Sequence, residues 1–125
     1  MFREDFVWGV ASSAYQVEGT DAADGRGACV WDMFAADGRV FEHQNADTSC
    51  DHMHHYKEDI ALMKHLGIRA YRFSLNWARI LPEGTGRVNE KAIAMYRDMI
   101  LTMKENGITP YLTLFHWEFP QALYE

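Results

Sequence analysis

The chain has 125 residues, 48% hydrophobic and 24% charged, which is the length of one ordinary domain and enough to bury roughly two thirds of its unfolded surface. Its formal net charge of −6, with no Lys/Arg run to neutralise phosphates, argues against nucleic acid as a partner. No window approaches the ~18 apolar residues of a membrane-spanning helix, so no membrane partner is expected either.

The first residues, MFREDFVWG, place charges where a secretory leader needs an uninterrupted apolar core. Cys29 and Cys50 are the only cysteines. Two thiols without such a leader fit a reducing cytosol better than a disulfide scaffold, so the expected location is cytoplasmic.

The first predicted strand is the short apolar run FVWGVA at 6–11. A polar stretch follows from Ser12 to about Cys50, punctuated by Gly19, Gly25, Gly27 and Gly38. It is too long for a plain connection, which indicates a functional loop carrying short helical pieces such as VWDMFA. Residues 52–66 read as a helix, with Met53, Tyr56, Ile60 and Met63 at helical spacing and Gly67 as the stop. IRAYRFSL is the second strand. Asn89 is the expected cap of the next helix, with Val88 and Ile93 spaced as a hydrophobic staple. Its predicted buried stripe is Ile93, Tyr96, Ile100 and Met103, and Asn106-Gly107 ends it. ITPYLTLF is the third strand, with Pro110 near its start, where a missing N–H is tolerated.

Strands alternating with helices through short turns (LGIRA, NGITP) predict an α/β fold with parallel strands and helical crossovers. Three such strands leave open edges, and parallel sheets are normally covered on both faces. A complete α/β barrel runs to ~250 residues. The expected architecture is the beginning of a larger one.

In parallel α/β folds, ligands meet the carboxyl ends of the strands. Gln16 and Glu18 follow the first strand, Arg72 lies within the second, and His116, Trp117 and Glu118 follow the third. A guanidinium in a strand otherwise fit for the interior is costly without a carboxylate. Arg72 therefore serves either a structural ion pair within the chain or a catalytic or substrate carboxylate. Gln16 offers an acceptor and donors to neighbouring hydroxyls. Trp117 offers an apolar face to a sugar ring, and His116 a further hydrogen bond. Singly, each is more often an ordinary structural residue; their convergence on one rim is the signal.

FVWGVASSAYQVEGT resembles the N-terminal signature of glycoside hydrolase family 1, the β-glucosidase family. The similarity continues through DGRGACVWDMF, CDHMHHYKEDIALMKHLGIRAYRFSLNWARILPEGTGRVNE and TLFHWEFPQAL, covering essentially the whole chain in order. Ala78 stands where the family commonly has Pro, and Ala28-Cys29 where Pro-Ser is often seen. The resemblance implies that residues 1–125 are the N-terminal part of a single (β/α)8 TIM-barrel domain, contributing three β-strands and two helices, incomplete as given. It implies a retaining β-glycosidase hydrolysing terminal non-reducing β-D-glucosyl residues, with no cofactor. Gln16, His116 and Trp117 would bind the non-reducing sugar, and Arg72 would support the nucleophile.

Retaining hydrolysis needs two carboxyl groups ~5 Å apart. In the family they follow the fourth and seventh strands, in Asn-Glu-Pro and Glu-Asn-Gly contexts, and neither strand is in this segment. Glu105-Asn106-Gly107 has the nucleophile's letters but closes a helix on the stability face. Asn89-Glu90 opens a helix. Glu118 is the better decoy, and the family's acid at that position is not catalytic; Glu18 matches a structural acid. No catalytic residue is expected here. The cluster CDHMHHYKED has metal-like pairs (Asp51 with His55, His55 with Asp59, Cys50 with His54), but structural histidines at a helix start are the better reading, and no metal is expected.

The expected partners are a β-glucoside or related sugar and a missing C-terminal barrel segment, or a complementary chain supplying it. The chain alone is expected to be inactive. The alternative is a non-catalytic fragment with weak sugar binding or self-association through its open edges.

Overall fold

The computed structural model describes residues 1–20 and 22–124. In chain order its main elements are β1 (Gly9–Ala11), α1 (Ala14–Val17), α2 (Val30–Ala36), α3 (His52–His65), β2 (Ala70–Ser74), α4 (Trp77–Ile80), α5 (Glu90–Glu105) and β3 (Thr109–Thr113). The strands form one parallel sheet in the order β1-β2-β3, with Arg72 in register with Ala11 on one side and Tyr111 on the other. The α/β alternation read from the sequence is present, and the barrel is not complete.

The two long helices end in the same way. Past α3, Gly67 (φ 75°) donates to the Lys64 carbonyl and Ile68 to that of Met63; past α5, Gly107 (φ 73°) donates to Lys104 and Ile108 to Met103. Each is a Schellman stop, in which a left-handed glycine lets two N–H groups satisfy the last helical carbonyls. The chain then enters the next strand directly. Asn89 caps α5 by accepting from the Ala92 N–H, as its position predicts.

Side-chain alternation in β2 sends Tyr71 and Phe73 towards the helices, where they pack with Ile60, Tyr96, Met99, Met103 and Ile108. The α5 stripe differs from expectation. Ala92, Tyr96, Met99 and Met103 are buried, Ile100 is half-buried, and Ile93 is exposed, as is its proposed staple partner Val88. The reason is the limited extent of the sheet. Ile93 and Ile100 line a shallow apolar groove with Leu75, Ile80 and Leu112, which nothing among the described residues covers. Leu112, Leu114 and Phe115 are likewise exposed along and beyond β3. The first strand is shorter than FVWGVA: Phe6 and Trp8 instead join Phe2 in an aromatic cluster before the sheet begins.

The long polar loop is ordered by close backbone approach. The Gly27 N–H donates to the Ala78 carbonyl at 2.8 Å, and a Cβ at Gly27 would lie 2.1 Å from the Pro82 carbonyl oxygen. Gly27→Ala is therefore expected to destabilise the protein by about 1–3 kcal/mol, the usual cost of overpacking. Thermal melting checks this, and an unchanged midpoint would mean that the loop shifts freely.

Candidate functional site

Because the strands are parallel, their carboxyl ends open on one side, and the chain leaving each is polar. After β1, the short helix α1 carries Gln16. Its N-cap Ser13 makes no side-chain cap, so the first N–H groups need acceptors from elsewhere. The Ala14 N–H donates to Ser74 Oγ at the end of β2 (2.7 Å), and the Tyr15 N–H to Glu118 Oε1 beyond β3 (3.1 Å). Glu118 Oε2 accepts from the His116 N–H (3.2 Å), and Ser74 Oγ makes a longer contact to Oε1 (3.4 Å). Glu118 is only 1% exposed, with both oxygens engaged by the protein. It stands as a structural acceptor and has no oxygen free to donate a proton to a substrate.

A second buried carboxylate lies just beyond α1. Glu18 accepts from Arg79 Nε (3.1 Å) and Tyr96 Oη (2.6 Å), while Arg79 also donates to Asp24 (3.1 Å) and to the Gly19 carbonyl (2.9 Å). Tyr96 Oη in turn accepts from the Asn76 N–H. Burial pushes the Glu18 carboxyl above the usual glutamate range, with Arg79 and Tyr96 opposing the rise. Burial and the Glu18 charge together raise the Tyr96 phenol well above its ordinary value.

The residues singled out in the sequence fall as follows. Gln16 is exposed on α1, His116 is half-buried, and Trp117 is 69% exposed with a left-handed φ of 75°. Gln16 and Trp117 each adjoin a residue whose backbone N–H is held by Glu118, so the exits of β1 and β3 are joined at that carboxylate. Trp117 also forms, with Trp31, Phe34, Phe115 and Phe119, part of an aromatic cleft of about 750 Å³. Beside this cleft the Tyr15 phenol is pushed up to about 12, chiefly by burial and then by Asp32.

Arg72 requires a correction. It lies on the face opposite Tyr71 and Phe73, but it is exposed, not interior, and its side chain has no hydrogen-bond or ion-pair partner among the described residues. The surface that would enclose it is not built by these strands. Buried, internally paired cations are instead Arg79, at 1% exposure, and Arg26, whose side chain is 4% exposed against Asp32; Arg79 is the one joined to distant carboxylates. No signal in NWARIL separates it from an ordinary arginine on a short helix, because its partners Glu18 and Asp24 lie more than 50 positions away in the chain.

Glu105 is exposed at the end of α5 remote from the strand exits, as its helix-closing position predicts. The histidines at the start of α3 meet carboxylates. His52 pairs with Asp59 (2.6 Å), His54 with Asp51 (2.6 Å), and His55 with Glu58 (2.8 Å) and more distantly Asp51 (3.7 Å). Of the two neighbours that the sequence spacing gave His55, Asp51 is present, whereas Asp59 turns to His52. Among the described residues no helix is long and apolar enough to cross a membrane.

With this geometry the chain was compared with known proteins. The family profile described as Glycosyl hydrolase family 1 matches residues 1–125. Beta-glucosidase A of Thermotoga maritima is 50% identical over 123 residues, 98% of this chain and 28% of the relative. Beta-glucosidase A of Acetivibrio thermocellus is 47% identical over the same shares. Among solved structures, the Thermotoga maritima beta-glucosidase in complex with cyclophellitol superposes with a TM-score of 0.94 at 49% identity, again over 98% of this chain and 28% of that one. The chain thus spans a little over a quarter of the length of these relatives.

Proposed function

The chain belongs to glycosyl hydrolase family 1, and from that premise we propose that residues 1–125 are the N-terminal part of a single (β/α)8 barrel domain of a retaining β-glycosidase. Its substrates are terminal non-reducing β-D-glucosyl residues. This segment supplies part of the sugar subsite and neither catalytic carboxylate. The observation that carries the reading is the convergence of Gln16, His116 and Trp117 on the carboxyl ends of the first and third of three parallel strands, the end at which barrel enzymes do their chemistry. A cytosolic setting agrees with the two free thiols, Cys29 and Cys50.

In this reading the Gln16 amide addresses neighbouring hydroxyls with one acceptor and two donors. The exposed indole of Trp117 lies against the C–H face of the ring, and His116 adds a hydrogen bond. Arg72, unpaired among the described residues, holds ionised the nucleophile carboxylate that the remaining strands bring. A second carboxyl group protonates the leaving oxygen and later activates water, which gives net retention.

The test requires a completed barrel, meaning these 125 residues joined to the remaining strands, either from their own reading frame or from a relative. The completed barrel is expected to hydrolyse p-nitrophenyl β-D-glucoside with retention at the anomeric carbon, followed by proton NMR. The 125-residue chain alone is expected to show no turnover. Hydrolysis by the short chain at a rate comparable with the barrel would overturn the assignment of both catalytic groups to strands outside it.

A further inference from the structure

We propose that Glu118 is the positioning residue of the sugar subsite, a single carboxylate that fixes the three strand exits against one another. The inference rests on the subsite reading above and goes beyond it, because Glu118 itself touches no sugar in that reading.

Glu118 is contacted from every strand exit. The Tyr15 N–H reaches it from the β1 exit, Ser74 Oγ from the end of β2, and the His116 N–H from the β3 exit. Ser74 extends the junction by accepting from the Ala14 N–H. None of these groups is a charged donor, so the carboxylate is stabilised by oriented dipoles alone. At 1% exposure it is shielded from bulk solvent, and each contact is correspondingly costly to remove.

The residues it fixes are backbone neighbours of the proposed sugar ligands. Tyr15 precedes Gln16 on α1, whose N-terminus has no cap from Ser13. His116 is itself a proposed ligand and precedes Trp117, which holds a left-handed backbone that a tryptophan rarely adopts. Such a conformation persists where the surroundings over-determine it, and the bond from the His116 N–H to Glu118 closes that turn. The spacing between Gln16 and the His116-Trp117 pair is thus set through one side chain. A glutamine at 118 presents one acceptor and one NH2 group where the site offers N–H donors to both oxygens, so one exit is released.

The test is a double-mutant cycle in the completed barrel with Gln16→Ala, Glu118→Gln and the pair, reading kcat/KM on p-nitrophenyl β-D-glucoside and the inhibition constant of D-glucose. Each single change is expected to lower kcat/KM and weaken glucose by ~10- to 100-fold, the scale of a misplacement of about 1 Å. The pair is expected to be no more than about 3-fold worse than the poorer single variant, because Glu118 acts by setting the spacing of Gln16 from the His116-Trp117 pair, which Gln16→Ala already abolishes. Glu118→Asp, which keeps both acceptors, is expected to recover most of the loss; should Glu118→Gln fail to fold, Ser74→Ala, which removes the β2 contact to Glu118 and the acceptor of the Ala14 N–H, carries the same cycle with Gln16→Ala.

If Gln16→Ala leaves glucose binding unchanged, the subsite reading falls and takes this inference with it. If Gln16→Ala weakens glucose while Glu118→Gln only lowers the melting temperature, or multiplies independently with it, the inference alone is overturned.

Discussion

Arg79→Met in the completed barrel is expected to cost about 3–5 kcal/mol of folding stability at neutral pH, the range for breaking a buried ion pair by removing one partner. Methionine keeps much of the arginine stem's volume, so the loss is one of charge and hydrogen bonds more than of packing. The Glu18 carboxylate, with a side chain 3% exposed, is left with Tyr96 as its only remaining side-chain donor among the described residues, and the Gly19 carbonyl loses its Arg79 partner. Asp24, whose side chain is 42% exposed, contributes little to the loss because water screens it.

The pH dependence follows from the direction of the Glu18 shift. Burial already raises its carboxyl in the folded protein, with the guanidinium opposing the rise, so removing Arg79 raises it further. A carboxyl raised on folding binds its proton more tightly in the folded state. That contribution to stability is complete below the unfolded glutamate value of ~4.3 and is lost as pH rises through the folded value. The variant's deficit is therefore expected to be small near pH 4 and full at pH 7.5, by chemical denaturation at both. An equal deficit at the two pH values would contradict the uncompensated Glu18 charge as its cause. Adding Glu18→Gln to Arg79→Met is expected to restore part of the neutral-pH stability.

Arg72→Met is expected to have its largest effect on chemistry, from the role proposed for Arg72 above. In the completed barrel it is expected to lower kcat by about 10²–10³-fold, the scale of losing one preorganised electrostatic contact, with a much smaller change in KM. The side chain makes no ion pair within the described residues, so the fold of this segment does not depend on its charge. Removing a cation from beside a carboxylate raises that carboxylate's pKa. The nucleophile must be ionised to attack, so the acidic limb of the pH–rate profile is expected to move upward, by ~1 pH unit or more if the cation lay within 4–6 Å. An unchanged kcat with an unmoved limb would defeat the assigned role.

These two arginines also mark how much of the molecule was legible in its sequence. The secondary structure was readable because its signals are local. Glycine stops at 67 and 107 and the cap at Asn89 each decide a helix end within one turn of chain. The polar strand exits were readable because the alternation of elements fixes which end of each strand faces ligand. What failed were inferences about neighbours far away in the chain. Arg72 looked interior because its strand is apolar, yet the enclosing surface is not part of this segment. Arg79 looked ordinary because Glu18 and Asp24 reach it only through tertiary folding. The α5 stripe was placed on Ile93 because periodicity marks every apolar position, whereas burial depends on which of them a neighbour covers.

The junction at residue 118 has a consequence for biosynthesis. Its acceptor and all its donors lie between residues 14 and 118, so a nascent polypeptide holds the complete set once that stretch has left the ribosome tunnel. Domains emerge amino end first at ~5–20 residues per second. This amino-terminal portion is therefore equipped to set its shape during translation, and in the proposed barrel later strands close onto a template already in place.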